Sequence, residues 1–261
     1  MNNIRYPAVA GMFYPESPKE LEQLIHSLLD NATSNGNSPK AIISPHAGYI
    51  YSGSIAASAF KTFESDSQNI NHIVLLGPSH RVALRGCALS SADYFRTPLG
   101  DIPINYDARK HLLTYDDVQI NDAAHAQEHS LEVQLPFLQS LLNDFTLTPI
   151  IVGENKMQHT AKILETFWQE SNTRFVISSD LSHYHNYQTA QKLDQETNLA
   201  ILNKQPENIQ YDHACGRNPV NGLLSFAKQH DLSVKMLDLR NSGDTAGPKD
   251  QVVGYGAWGF Y

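Results

Sequence analysis

Three stretches of this chain run from an unbroken apolar segment straight into a turn that carries a histidine: Ala41 to His46 (AIISPH), Ile73 to Arg81 (IVLLGPSHR) and Phe175 to His183 (FVISSDLSH). A strand with one wet face alternates apolar and polar residues. These three do not, so they read as strands covered on both faces, the condition of a parallel sheet clothed in helices. Ligands in such sheets collect at the carboxyl ends of strands, which is where each of these segments places its histidine. The chain is therefore expected to be an α/β fold, a single domain over residues 1–261 with a mostly parallel central sheet flanked by helices. Three such strands could build one shared site.

The intervening sequence agrees with this alternation. Arg5 to Pro15 is rich in Pro and Gly yet apolar, so it should lie against the body. Ser17-Pro18-Lys19-Glu20 supplies an N-cap, a first-turn proline and a capping-box glutamate ahead of Leu21, Leu24, Ile25, Leu28 and Leu29 at helical spacing. A polar connector follows from Asn31 to Pro39, and Ser54 to Phe63 reads as a small-residue helix after the His46 turn. Cys87 to Ser91 and Asp101 to Asn105 read as short strands flanking the turn Thr97-Pro98-Leu99-Gly100, an antiparallel excursion from the main sheet. A helix is expected to open at Glu128 to Glu132, with Pro136 forcing a kink or a late start. Strands over 146–152, 174–178, 234–239 and 252–261, and helices over 157–170, 188–204 and 219–229, complete the alternation.

Acidic residues outnumber basic ones, 27 to 19, and the formal charge of -8 offers no basic footprint for nucleic acid or an anionic membrane surface. No run approaches the roughly 18 apolar residues a membrane span needs, and no cationic leader precedes an apolar segment, so a cytoplasmic location is expected. Cys87 and Cys215 are the two cysteines and stand far apart, which argues against a disulfide framework.

Chemistry concentrates in a few residues. His46 and His80 each follow a buried strand and a proline, and neutral imidazole is a good ligand for Fe, Cu or Zn. A histidine in a loop is also commonly satisfied by backbone, but two in matched contexts favour a shared site. Asp180 could hold the tautomer of an imidazole or merely cap a helix, while His183 could exchange protons near neutral pH. Glu128 sits well at the positive end of a helix without further function, whereas His129 beside it is harder to dismiss. Cys215 stands in HACGR before a helix start with Arg217 two residues on, a setting that favours thiolate. Cys87 lies in an apolar strand and reads as inert.

Seven blocks in order carry a resemblance over nearly the whole chain: RYPAVAGMFYP, SPHAGYIYSG, LLGPSHR, EHSLEVQLPFL, SSDLSHY, HACGR and NSGDTAGPKDQVVGYGAW. The chain resembles the Memo family, whose prokaryotic members are called AmmeMemoRadiSam system protein B and whose fold is similar to that of LigB-type class III extradiol dioxygenases. The resemblance implies a metal centre of His46, His80 and Cys215, with Asp180, His183 and His129 lining the cleft. Tyr51, Arg217 and Glu128 are assigned to the substrate side. In the dioxygenases two histidines and a carboxylate hold Fe(II); here the carboxylate position is taken by Cys215, and a thiolate favours softer ions such as Cu(I).

Three functions follow as expectations. The first is a redox enzyme with one Fe(II) or copper ion, zinc being a substitute, in which His183, oriented by Asp180, moves protons and His129 positions or polarises a small-molecule substrate. The second is a non-enzymatic adaptor that takes a phosphopeptide or protein partner in the same cleft, with His80, His183 and Arg217 as donors. The third is thiol hydrolysis with Cys215 as nucleophile and His183 or His213 as base. The family name also implies company with a radical S-adenosylmethionine protein and an AMMECR1-like protein.

Overall fold

A computed structural model describes residues 3–33 and 36–261 of the chain. Two positions of the expected connector Asn31 to Pro39, residues 34 and 35, lie outside the described residues. The chain opens with β1 (Ile4–Arg5) and α1 (Pro18–Asp30), then forms the unit β2 (Ala41–Ser44), α2 (Tyr49–Phe60) and β3 (His72–Pro78). Next come β4 (Cys87–Leu89), β5 (Tyr94–Thr97), β6 (Gly100–Pro103), α3 (Tyr106–Leu112), β7 (Val118–Ile120), α4 (Asp122–Ala126) and α5 (Leu135–Leu141). The second half alternates as β8 (Thr146–Val152), α6 (Met157–Trp168), β9 (Thr173–Ser178), β10 (His183–His185), α7 (Tyr187–Leu202), α8 (Arg217–Gln229), β11 (Val234–Asn241) and β12 (Val252–Phe260).

The central sheet runs β10-β12-β2-β9-β3-β8-β4-β7, with β11 on the other edge of β12. Its middle, β2-β9-β3-β8, is parallel throughout, and antiparallel strands join on both flanks, so the whole is a mixed sheet. The continuous apolar runs are explained by burial on both faces. Ile42, Ile73, Leu75 and Val176 belong to the core beneath α1, α2 and α5. Their neighbours Ile43, Val74, Leu76 and Phe175 belong to the core beneath α6 and α8. Every second residue serves the opposite layer, leaving no position for a polar alternation. Among the described residues no helix is long and apolar enough to cross a membrane.

Several local expectations are corrected. Ser17 is the N-cap of α1, but its side chain makes no capping hydrogen bond, so the capping box with Glu20 does not form. Pro18 already removes one of the orphan N–H groups and sets a helical φ. The small-residue helix starts at Tyr49, five residues before Ser54, because the Tyr49 N–H is taken by the Phe13 carbonyl at 2.8 Å rather than by a longer loop. β4 belongs to the main sheet, whereas β5 and β6 form a hairpin about Pro98-Leu99 that pairs with β1 in a separate three-stranded sheet. Glu128 and His129 lie in a loop, and α5 begins at Leu135 with Pro136 in its first turn, where its missing N–H costs nothing. Glu128 therefore owes nothing to a helix dipole.

Candidate metal centre

The carboxyl ends of β2, β3 and β9 lie side by side, and the three loops leaving them carry His46, His80 and Asp180. A fourth segment, the turn before α8, brings Cys215 to the same place. The Cys215 N–H donates to the Asp180 carbonyl at 3.3 Å and the Gly216 N–H to the Ser179 hydroxyl at 3.0 Å. This approach requires glycine: a Cβ at 216 would sit 2.6 Å from both the Ser178 carbonyl oxygen and the Ser179 Cβ. The result is that one donor atom each from His46, His80 and Cys215 falls within 4.8 Å of the others, with His46 Nε2 and Cys215 Sγ 3.3 Å apart.

Hydrogen bonds behind the imidazoles decide which nitrogen each presents. The Ser178 hydroxyl donates to the Ser130 carbonyl at 2.6 Å and accepts from Gln134 Nε2 at 2.9 Å. Its remaining lone pair faces His46 Nδ1 at 2.7 Å, so Nδ1 carries the proton and Nε2 offers its lone pair towards Cys215. On His80, Nδ1 lies 2.8 Å from the Glu128 carboxylate, which only accepts; Nε2 is again the free donor atom. The same carboxylate receives the backbone N–H groups of His80 (2.6 Å), His129 (3.0 Å) and Ser130 (2.9 Å). Burial opposes ionisation of Glu128, but the hydrogen bonds and charge of His80 prevail and hold the carboxyl down at about 2.

Glu128 is thus enclosed behind His80 and does not face substrate, which corrects its assignment. Asp180 is also placed differently from expectation. It accepts the His46 backbone N–H at 2.7 Å and does not orient His183. Burial pushes its carboxyl up to about 7. Burial likewise lowers the basicity of His183, against a backbone hydrogen bond to Leu181, and keeps His46 well below its ordinary value, with His80 and His129 adding to the effect. His129 is pushed to about 4 by burial against the pull of Glu128, and its ring lies 4.7 Å from that of His80 and 4.8 Å from that of Phe13. The helix start and Arg217 do not favour thiolate at Cys215: burial and the Asp180 carboxyl push the thiol above its usual range. Cys87 is buried and pushed up to about 12, as an inert strand cysteine should be.

Arg217 lies against Tyr211, its guanidinium carbon 3.3 Å from the ring centre, and lines a different hollow from the one that reaches Cys215. The Cys215 hollow, about 590 Å³, is walled by Ser79, Val152, Tyr211 and Asn218. A groove of similar size, about 610 Å³, opens at the amino ends of the strands near Asn71 and Thr146, far from the donor cluster. Tyr51 is 40 % exposed in the first turn of α2.

Sequence reasoning passed over Ser178, Gln134 and Ser130, whose roles no motif announces, and it passed over the part played by Glu132. That carboxylate is fully buried and accepts from Arg5 Nη1, the N–H groups of Ala8 (2.8 Å) and Val9 (3.0 Å) and the Tyr14 hydroxyl (2.5 Å). It ties down the amino-terminal segment that sets Phe13 against His129.

Comparison with known proteins agrees with this architecture. The chain is 36 % identical to a MEMO1 family protein of Aquifex aeolicus and 34 % identical to one of Aeropyrum pernix, each match covering 97 % of this chain and at least 97 % of the relative. Its fold is similar to that of a crystal structure of an uncharacterized protein from Escherichia coli K12, with a TM-score of 0.53 at 11 % identity, covering 84 % of this chain and 98 % of that one. A family model described as Memo-like protein matches residues 5–258, and the chain belongs to that family.

Proposed function

We propose that the cleft is a mononuclear metal centre in which Nε2 of His46, Nε2 of His80 and Sγ of Cys215 hold one Fe(II) or copper ion in the service of a redox enzyme. The observation that carries this reading is the mutual spacing of three donor atoms, within 4.8 Å, on three separate segments. The orientation of both imidazoles supports it, since Ser178 and Glu128 each occupy Nδ1 and leave Nε2 for an ion. Two imidazoles and a sulfur are a donor set for iron, copper or zinc and not for calcium or magnesium. A bound iron or copper ion would supply Lewis acidity and one-electron chemistry.

The residues around it have separable roles. His183, half-buried and kept neutral by its surroundings, takes or gives a proton at the cleft. His129, held between Phe13 and His80, positions the substrate. Asp180 fixes the backbone of His46 and, through its carbonyl, that of Cys215. The test is anaerobic titration of the purified chain with Fe(II) and with Cu(I), followed by spectroscopy for sulfur ligation. One ion per chain, with the sulfur signature lost in Cys215→Ser, is expected; no uptake, or uptake unchanged in His46→Ala combined with Cys215→Ser, would sink the reading.

A second reading rests on the cleft's surroundings. Ile50 and Tyr51 open α2 just after the His46 loop and Tyr184 follows His183; they are 71 %, 40 % and 72 % exposed. Such a rim suits docking of a peptide or of a protein partner such as the radical S-adenosylmethionine and AMMECR1-like proteins. Peptide affinity that persists after metal removal would favour it.

A further inference from the structure

The last strand of the chain passes beside the donor cluster as well as through the core. β12 pairs with β2 in a register that sets Phe260 against Ala41, Gly259 against Ile42 and Trp258 against Ile43. Continued beyond the end of β2, that register brings Tyr255 opposite His46. The strand is clamped at this point, because the Leu181 N–H donates to the Gly254 carbonyl and the Gly254 N–H to the Ser182 carbonyl, each at 2.8 Å. Tyr255 therefore adjoins both the His46 loop and the Asp180 loop.

Side chains alternate along a strand, so the residue before Tyr255 fixes which way it points. A Cβ on Gly254 would lie 2.1 Å from the Asp194 carboxylate of α7, which puts residue 254 on that layer. Tyr255 takes the other face and belongs to the core beneath α2. It is 2 % exposed, yet no hydrogen bond acts on its hydroxyl among the described residues, and the hydroxyl is not shut away from solvent. Buried phenols normally find a partner, because leaving a sheltered polar group unpaired is costly. The charges felt by this hydroxyl show where it lies. Burial, then the Asp180 carboxyl and the phenols of Tyr51 and Tyr184, push Tyr255 well above the usual phenol range, so it stays protonated. Asp180 itself is at the cluster, with Oδ2 3.9 Å from His46 Nε2 and Oδ1 taken by the His46 N–H at 2.7 Å. The unpartnered hydroxyl thus stands at the inner edge of the cleft, with Tyr51 and Tyr184 on its rim.

We propose that Tyr255 is a substrate-binding residue of the centre, its hydroxyl donating a hydrogen bond to an oxygen acceptor of a small ligand held beside His46, His80 and Cys215. The inference rests on the metal reading and adds to it a class of ligand, one that presents an oxygen acceptor to the cleft. A protonated phenol offers one O–H, and here no protein acceptor takes it. The imidazoles differ: His46 and His80 have committed Nδ1 to Ser178 and Glu128. A donor fixed by a packed ring on a sheet strand, with nothing in the protein to bond, orients a ligand instead of bracing the fold.

The test is calorimetric titration of the Zn(II)-loaded full chain with acetohydroxamate, a small ligand with oxygen acceptors; zinc has no redox chemistry and leaves Cys215 unoxidised. Saturable one-to-one binding to the native chain is expected. Tyr255→Phe keeps the ring and loses only the hydroxyl. It should take up zinc within about twofold of the native affinity and bind acetohydroxamate about three- to tenfold more weakly, the loss of one hydrogen bond. Its melting temperature should not fall, since the hydroxyl makes no bond within the protein. If neither chain takes up zinc, the metal reading fails and this inference with it. If both take up zinc and bind acetohydroxamate equally, the metal reading stands and Tyr255 does not touch the ligand. No acetohydroxamate binding by the zinc-loaded native chain, or a lower zinc affinity or melting temperature in Tyr255→Phe, would also overturn the proposal.

Discussion

His46 Nδ1 lies 2.7 Å from the Ser178 hydroxyl, whose own proton is committed to the Ser130 carbonyl at 2.6 Å. The strand that delivers Asp180 to the cleft thus also fixes the tautomer of a histidine delivered by its neighbour. Metal-ligating histidines are generally oriented in this way, and loss of the orienting partner typically costs about 10–100-fold in affinity. Ser178→Ala should therefore weaken Fe(II) or Zn(II) binding by about that factor. Ser178→Thr should retain most of it, and unchanged affinity in Ser178→Ala would remove Ser178 from the centre.

An ion bound at the proposed centre should raise thermal stability, because an ion that binds the folded chain and not the unfolded one stabilises by mass action. At an ion concentration about 100 times the dissociation constant the gain is about 2.7 kcal/mol. A melting curve that rises with added ion in the native chain and not in His46→Ala checks this.

Gly216→Ala should displace Cys215. The new Cβ would lie 2.6 Å from the Ser178 carbonyl oxygen, a backbone atom that cannot swing away. Overpacking of this kind costs about 1–3 kcal/mol. Stoichiometric, native-affinity metal binding by a fully folded Gly216→Ala would contradict the placement.

Glu132→Gln should loosen the amino-terminal segment. The carboxylate and Arg5 are both buried, and removing one charge of a buried pair typically costs about 3–5 kcal/mol. Chemical unfolding measures the loss, and limited proteolysis should cut first within residues 5–14.

His125 should make the fold sensitive to mild acid. Burial pushes it from 6.5 to about 4, and its Nε2 is held at 3.0 Å from the Ala88 carbonyl. Between these values the unfolded chain binds a proton that the native chain does not, so stability falls as pH drops from 6.5 towards 4 and levels off below. The difference corresponds to about 3 kcal/mol. Urea midpoints at several pH values should show a shallower acid decline in His125→Gln, and an identical slope would refute the assignment.

The layers of this fold were legible because burial on both faces leaves a direct mark on a strand's composition. Ala41 to Ser44, His72 to Pro78 and Thr173 to Ser178 lack polar alternation, and they pair side by side in the parallel centre of the sheet. Helix starts were less legible. The start at Tyr49 is displaced from expectation because its N–H is taken by the distant Phe13 carbonyl, and Glu128 lies outside the helix expected to open there, which begins at Leu135 with the late start that Pro136 allows.

Sequence alone determined that histidines stand at the ends of buried strands and that a cysteine precedes a helix, since chain order and local propensity place those residues within their own segments. Tertiary structure decided what they do together. Only the folded chain brings Sγ of Cys215 to within 3.3 Å of His46 Nε2, encloses Glu128 behind His80, and turns Arg217 onto Tyr211 towards a second hollow. The reason is that hydrogen bonds and burial act between atoms adjacent in space. Residues 46 and 215 share no local signal; the pairing of β2 with β9, and the close approach allowed by Gly216, make them neighbours.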